Sequence, residues 1–279
     1  MLHDRGYRTG LVPAVLAAAL CLVPAAPAPA GEADPGRWRP KVGDRWQWQL
    51  AGRVNTAYDV EVYDIDLADT PRATIAALHR LGRRVVCYFS AGSAEDWRDD
   101  FAKFRAADLG APVAGWDGER WLDTRSPHVR AIMARRLDLA AAKGCDGVEP
   151  DNVDGYLPDN AAGLLLTAET QMDYHRFLVA EAHARGLAVG LKNDIGHVPA
   201  LAGDFDFAVN EECHAFDECA VYAAFTARGK AVFNAEYDRR FRGGAARAAL
   251  CRSARAANLR TLVLPRDLDD SFRLSCDPD

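Results

Sequence analysis

Gly144-Cys145-Asp146-Gly147-Val148-Glu149-Pro150-Asp151-Asn152-Val153-Asp154-Gly155-Tyr156 reads as a helix stop, a short buried strand and a polar loop in direct succession. Its four carboxylates crowd the strand and its C-terminal end. An unpaired buried carboxylate is costly, so acids at that position point to chemistry rather than stability. Side chains alternate along a strand, and with Val148 facing a helical layer, Gly147, Glu149 and Asp151 share the inward face.

The same strand-then-helix rhythm extends in both directions. Short β-rich runs fall at Trp46–Leu50, Val60–Ile65, Arg84–Ser90, Gly147–Asp151, Leu187–Asn193, Asp206–Glu211, Ala231–Glu236 and Thr261–Pro265. Helical patterns separate most of them. Pro71–Leu81 follows Thr70 and Pro127–Lys143 follows Ser126, each a cap residue before proline at the first helical position. Thr170–Arg185, Glu218–Arg228 and Ala245–Asn258 complete the set, and Gly82, Gly144, Gly186 and Gly229 stand where helices should stop. Eight strands alternating with helices predict a single (β/α)8 TIM barrel. A doubly wound open sheet is the alternative, but no glycine-rich nucleotide loop follows the first strand.

In such a barrel the active site lies at the C-terminal strand ends. Those ends carry Gln49; Asp64 and Asp66; Tyr88 and Ser90; Glu149, Asp151 and Asn152; Lys192 and Asn193; Glu211 and Glu212; Glu236 and Tyr237; and Arg266. Parity pairs Asp151 with Glu211, which shares a face with Phe207 and Val209. Two carboxyl groups facing one cleft are what glycoside hydrolysis requires, one to protonate the leaving oxygen and one to attack or to activate water. Tyr63, Tyr88, Tyr237, Trp46 and Trp48 are candidates for stacking on sugar rings, although Trp46 could equally be core. His197 and His214 lack the spacing of a nucleophile or metal triad, and no C-x-x-C or H-E-x-x-H motif occurs, so no metal site is expected.

Arg5 and Arg8, the apolar run Leu11 to Val23 and Ala28-Pro29-Ala30 read as a secretory signal peptide over residues 1–30. An uncleaved N-terminal anchor is the alternative, but the run is short for a bilayer. Residues 31–43, rich in Gly and Pro, read as a flexible leader, and 44–279 as the barrel domain. Cleavage would remove Asp4, Arg5 and Arg8 and take the formal net charge from −6 to near −7. That argues against a nucleic-acid partner, which needs a basic face, and mildly favours a cationic or neutral substrate. The expected product is a secreted monomer with no stable membrane association. Of seven cysteines, six would remain. An even count in a secreted chain predicts disulfides; spacing suggests Cys213 with Cys219 and Cys251 with Cys276, leaving Cys87 and Cys145.

Trp46-Gln47-Trp48-Gln49-Leu50, Val62-Tyr63-Asp64-Ile65-Asp66, Val86-Cys87-Tyr88-Phe89-Ser90-Ala91-Gly92, Gly147 to Asp154, Leu191-Lys192-Asn193 and Asn210-Glu211-Glu212-Cys213 together resemble glycoside hydrolase family 114, in order and over the whole mature chain. The characterised type of that family is the endo-α-1,4-polygalactosaminidase. The resemblance implies a cofactor-free (β/α)8 barrel that cleaves α-1,4-linked galactosamine-containing polysaccharide with retention. It further implies Asp151 as nucleophile and Glu211 as general acid/base. Glu212 stands where glutamine is expected in many relatives, and its charge is predicted to raise the pKa of Glu211. Asp64, Asp66, Asp154 and Glu236 are candidates for the substrate's 2-amino group, and Tyr88, Glu149, Asn152, Lys192, Asn193 and Tyr237 for supporting contacts. A glycosidase of other specificity and a non-catalytic carbohydrate-binding barrel are the competing readings.

Overall fold

The structure is a computed structural model and describes residues 36–277. The expected signal peptide, residues 1–30, lies outside the described residues, as does the first part of the leader. From Gly36 on, the expected flexible leader is instead anchored. Arg37 and Arg39 both reach Asp206, at 3.3 and 3.2 Å, and Lys41 bridges Lys230. Composition reads Gly and Pro but not the ion pairs that pin them.

Eight parallel strands follow one another around the sheet: β1 (Trp46–Gln49), β2 (Val62–Asp66), β3 (Arg84–Ser90), β4 (Gly147–Asp151), β5 (Ala188–Lys192), β6 (Phe207–Glu211), β7 (Val232–Glu236) and β8 (Arg260–Val263). Neighbours in sequence are neighbours in the sheet. Helices α1 (Arg72–Arg80), α2 (Pro127–Lys143), α3 (Ala168–Ala184), α4 (Val198–Leu201), α5 (Ala223–Thr226) and α6 (Gly244–Ala256) cover the outside. The chain is a (β/α)8 barrel. A two-residue strand, Leu274–Ser275, adds antiparallel to β8. The seam between β8 and β1 is spanned by Trp46 Nε1 to the Arg260 carbonyl (2.8 Å), Leu50 N to the Leu268 carbonyl (3.1 Å) and Arg273 to the Trp46 carbonyl (2.7 Å).

Strand alternation divides the core into two layers. Trp46, Trp48, Val62, Val86, Phe207, Val209 and Phe233 fill the barrel, with Trp46 stacked on Phe233 at 5.0 Å. Ile65, Val85, Val148 and Leu191 point outward and pack with Ile132, Leu137 and Leu178 of the helices. Gly190 is required by this filling, since a Cβ there would sit 2.5 Å from the Phe207 ring.

Helix ends follow the expected signals with one exception. Ser126 caps α2 by accepting from Val129 N, and Gly144 ends it at φ +89°. Thr70, expected to cap α1, does not; Pro71 occupies the cap position without a side-chain bond.

The main departure from the sequence reading lies between β3 and α2. Residues 93–122 form a small antiparallel sheet of Ser93–Glu95, Leu109–Pro112 and Glu119–Leu122, with the last in the centre. Val113 and Trp121 pack on Ala162 and Leu164, and Ala111 N bonds the Ala162 carbonyl. This insert and the loop after β4 therefore form one wall at the C-terminal end of the barrel. The three disulfides are Cys87–Cys145, Cys213–Cys219 and Cys251–Cys276, as the spacing suggested.

Candidate active site

Lys192, the last residue of β5, sits at the centre of the strand ends with only 2% of its side chain exposed. Its Nζ lies 2.9 Å from Asp151 Oδ1, 3.1 Å from Glu211 Oε2 and 3.4 Å from Glu149 Oε1. It also stands over the Trp48 ring at 5.1 Å. Burial alone would lower its pKa, but Asp151, Glu211 and Glu149 raise it well above the ordinary lysine value. The ammonium is thus a permanent charge that ties β4, β5 and β6 together.

Asp151 and Glu211 are each held from several sides. The Tyr88 hydroxyl donates to Asp151 Oδ2 at 3.0 Å, and Asn152 N donates to Oδ1 at 2.7 Å. Asn193 Nδ2 donates to Glu211 Oε2 at 3.1 Å, while Asn193 Oδ1 accepts from Glu211 N at 2.9 Å. The Tyr237 hydroxyl donates to Glu211 Oε1 at 2.5 Å. Burial and the adjacent carboxylates push Tyr88 and Tyr237 well above the ordinary tyrosine range, so both stay protonated donors. Both catalytic candidates retain exposure to the cleft, 17% for Asp151 and 30% for Glu211. Lys192 bonds an oxygen of each, which caps the separation of those oxygens at about 6 Å.

Burial pushes the Glu211 pKa up, but Lys192, the Tyr237 hydroxyl and Asn193 outweigh it and hold the carboxyl below its ordinary value. The expected rise caused by Glu212 is therefore corrected. Glu212 turns off the strand in a left-handed conformation, φ +61°, near Arg266, and Lys192 dominates at Glu211 instead.

Asp64 and Glu149 lie beneath this layer, almost fully buried. Neither has a hydrogen-bond donor in line with its carboxyl oxygens. Burial raises Asp64 to about 7, and burial together with Asp64 raises Glu149 well above the usual range. Both residues support Lys192 from below rather than meeting a ligand.

The other amine-binding candidates separate clearly. Asp66 is occupied by Arg98 at 2.6 Å. Glu236 follows the outward parity of Val232, is fully buried, and accepts from His214 N and Asn234. Strand-end position suggested it; alternation takes it away from the cleft. Tyr63 likewise points into the outer layer and is not available for stacking. Asp154 remains on the cleft, pushed up to about 6 by burial and by Asp151 and Asp194.

Three residues on the cleft were absent from the sequence reading, Glu119 and Trp116 of the insert and Leu268 beyond β8. For the insert the signal available was Asp117-Gly118 between short apolar runs, a hairpin pattern. A larger cavity of about 500 Å³ lies beside Trp97, Arg98 and Leu139; neither Asp151 nor Glu211 lines it, although Tyr88 borders both it and the cleft.

His175, Asp194 and His197 cluster behind Asn193. His175 Nε2 and His197 Nδ1 both meet Asp194 Oδ2, at 2.6 and 2.8 Å, and the Tyr156 hydroxyl donates to Oδ1. These are hydrogen-bond distances, shorter than the ligand–ligand spacing around a tetrahedral zinc with bonds of about 2.0–2.2 Å. The cluster ties the loops after β4 and β5 together and fixes Asn193 against Glu211.

Comparison with known proteins agrees with this geometry. Ega3 of Aspergillus fumigatus, solved in complex with galactosamine, is 42% identical, with a TM-score of 0.81 over 88% of this chain and 100% of that one. The glycoside hydrolase domain of PelA from Pseudomonas aeruginosa shares the fold at 18% identity and a TM-score of 0.64, over 84% of this chain and 99% of that one. An α-galactosidase from Thermus thermophilus does so at 15% identity and a TM-score of 0.54, over 80% and 58%. No curated protein gives a significant match. The model of glycoside-hydrolase family GH114 matches residues 27–279, and with Ega3 it shows that this chain belongs to that family.

Proposed function

We propose that this chain is a secreted, endo-acting hydrolase of α-1,4-linked galactosamine-containing polysaccharide, with Asp151 as nucleophile and Glu211 as general acid/base. The observation that carries the reading is the Lys192 bridge, which keeps one oxygen of each cleft-facing carboxylate within about 6 Å of the other. Both carboxyl groups thus reach one glycosidic bond, and retention is what the family resemblance implies for the pair.

In the first step Asp151 forms a bond to the anomeric carbon while Glu211 gives its proton to the departing glycosidic oxygen. Water then attacks the same carbon, Glu211 takes the water's proton, and Asp151 leaves as a carboxylate. Tyr88, Asn152 and Lys192 orient Asp151 and stabilise its charge as it departs. Substrate covering the exposed side of Glu211 removes water from it and raises its pKa toward the acid role.

Galactosamine is supported as the substrate unit by Ega3, whose structure holds that sugar, and by the charge of the centre. Lys192 is one cation facing the carboxyl groups of Asp151, Glu211 and Glu149, which leaves acids in excess for a cationic sugar. Secretion is supported by the N-terminal segment and three disulfides.

Incubation with defined oligomers of galactosamine, N-acetylgalactosamine and mixtures, with mass spectrometry of the products, tests the reaction. Internal cuts at galactosamine linkages are expected, lost in Asp151→Asn and Glu211→Gln with the fold retained. Full turnover by either variant would overturn the assignment.

A further inference from the structure

We propose that the insert between β3 and α2 is the specificity wall of the cleft, with Trp116 carrying the face of a bound sugar and Glu119, together with Asp154, receiving its 2-ammonium group. This deepens the proposed function and rests on it for the identity of the sugar.

Three observations lead there. Trp116 is half exposed on the same cleft that Asp151 and Glu211 line, an aromatic face open to a ring. Glu119 is 7% exposed and also lines the cleft. Its Oε2 accepts from Ser93 Oγ at 2.8 Å, and among the described residues its Oε1 has no donor and Glu119 makes no ion pair. Asp154, from the loop that packs against the insert, also has no ion-pair partner among the described residues. The other buried acids near the insert are paired: Glu95 and Asp66 with Arg98, and Asp108 with Arg105. Burial raises Glu119 to about 7 and Asp154 to about 6, as expected of acids held in place without a countercharge. A ligand ammonium would supply that charge through charge-assisted hydrogen bonds.

The wall is also built to hold its shape. Ser93 Oγ bonds Ser90 Oγ at 2.6 Å, and Asn152 Nδ2 reaches both serines, at 2.9 and 3.2 Å. Glu119 is thereby linked to Asn152, whose backbone N–H holds the nucleophile. The wall and the reacting carboxylate share one hydrogen-bond network, so an ammonium on Glu119 fixes the sugar relative to Asp151.

The test uses fully deacetylated and partly N-acetylated galactosamine oligomers. Cleavage selectivity is measured as the ratio of kcat/KM values, and binding is measured on the Glu211→Gln background, where turnover does not interfere. Glu119→Gln keeps the Ser93 bond and is expected to lower the preference for the deacetylated oligomer roughly tenfold, chiefly through KM. Trp116→Ala should weaken both oligomers alike, because stacking does not depend on the amine's charge. The preference itself should fade as salt is raised. Cleavage by the parent with a preference unmoved by Glu119→Gln overturns the wall and leaves the reaction standing. Binding with the cationic preference intact but no cleavage by the parent overturns the reaction and leaves the wall.

Discussion

Glu211 Oε2 stands 3.1 Å from Lys192 Nζ, so the residue assigned as acid shares its charge with a buried cation in the free enzyme. Burial pushes Glu211 up, but Lys192, Tyr237 and Asn193 hold it below its ordinary value. A general acid must carry its proton, and the protonated share falls about tenfold for each pH unit above the pKa. Since kcat/KM reports the free enzyme, it should be highest in acid and decline through neutrality with a log–log slope near −1. Lys192→Met removes the main charge holding Glu211 down and should move that decline to higher pH in the activity that remains. A profile flat to pH 8 contradicts the acid role of Glu211.

The two carboxylates can be told apart by azide. In Asp151→Ala a small anion can enter on the vacated side and attack an α-linked sugar from the opposite face, giving the β-glycosyl azide. In Glu211→Ala, on a substrate with an activated leaving group, Asp151 still forms the intermediate. Azide then replaces water and gives the α-glycosyl azide. The anomeric configuration of each product, read by NMR, checks the assignment; the opposite pairing of products would exchange the two roles.

The barrel was legible because its strands obey a strong rule, apolar residues alternating toward two cores and ending in polar groups. Parity alone brought Asp151 and Glu211 to one face, and their common contact with Lys192 agrees with it. The same rule applied to β7 would have removed Glu236, whose parity follows Val232 and not Phe233. Lys192 was visible as a strand-end residue, but periodicity does not reveal that one ammonium reaches three carboxylates on two neighbouring strands. The insert was hidden for another reason. Its strands are only three or four residues long, too short for alternation to register, so Glu119 and Trp116 carried no periodic signal.

Acids that hold protons in the folded state set the pH dependence of stability. Burial raises Asp64, Glu119 and Glu236 to about 7, far above the values they take in an unfolded chain. Between roughly pH 4 and 7 the folded state therefore binds more protons, and stability falls as pH rises through that window. Asp194 and Asp206 act in the opposite sense. Burial works against them, but histidine contacts dominate and lower both, so their contribution is lost only in stronger acid. The melting temperature should be higher at pH 5 than at pH 8, and Asp64→Asn should flatten the difference. A melting temperature that climbs steadily from pH 5 to 8 would contradict the raised values of Asp64, Glu119 and Glu236.

The barrel's seam depends on its last residues. β8 and β1 share no ladder, and the segment that spans them carries Arg273, which bonds the Trp46 carbonyl, and Leu274–Ser275, which pairs with β8. Cys251 in α6 is bonded to Cys276 immediately after that strand, across a separation of 25 residues. Cross-linking a loop of this length stabilises by about 2–4 kcal/mol, mainly by limiting the unfolded chain. Replacing both cysteines by alanine should lower the denaturant midpoint accordingly. It should also speed hydrogen exchange in β1 and β8 more than in β4 and β5, where Lys192 and the Cys87–Cys145 bond remain. Uniform acceleration across all strands would show instead that the seam opens only when the whole barrel unfolds.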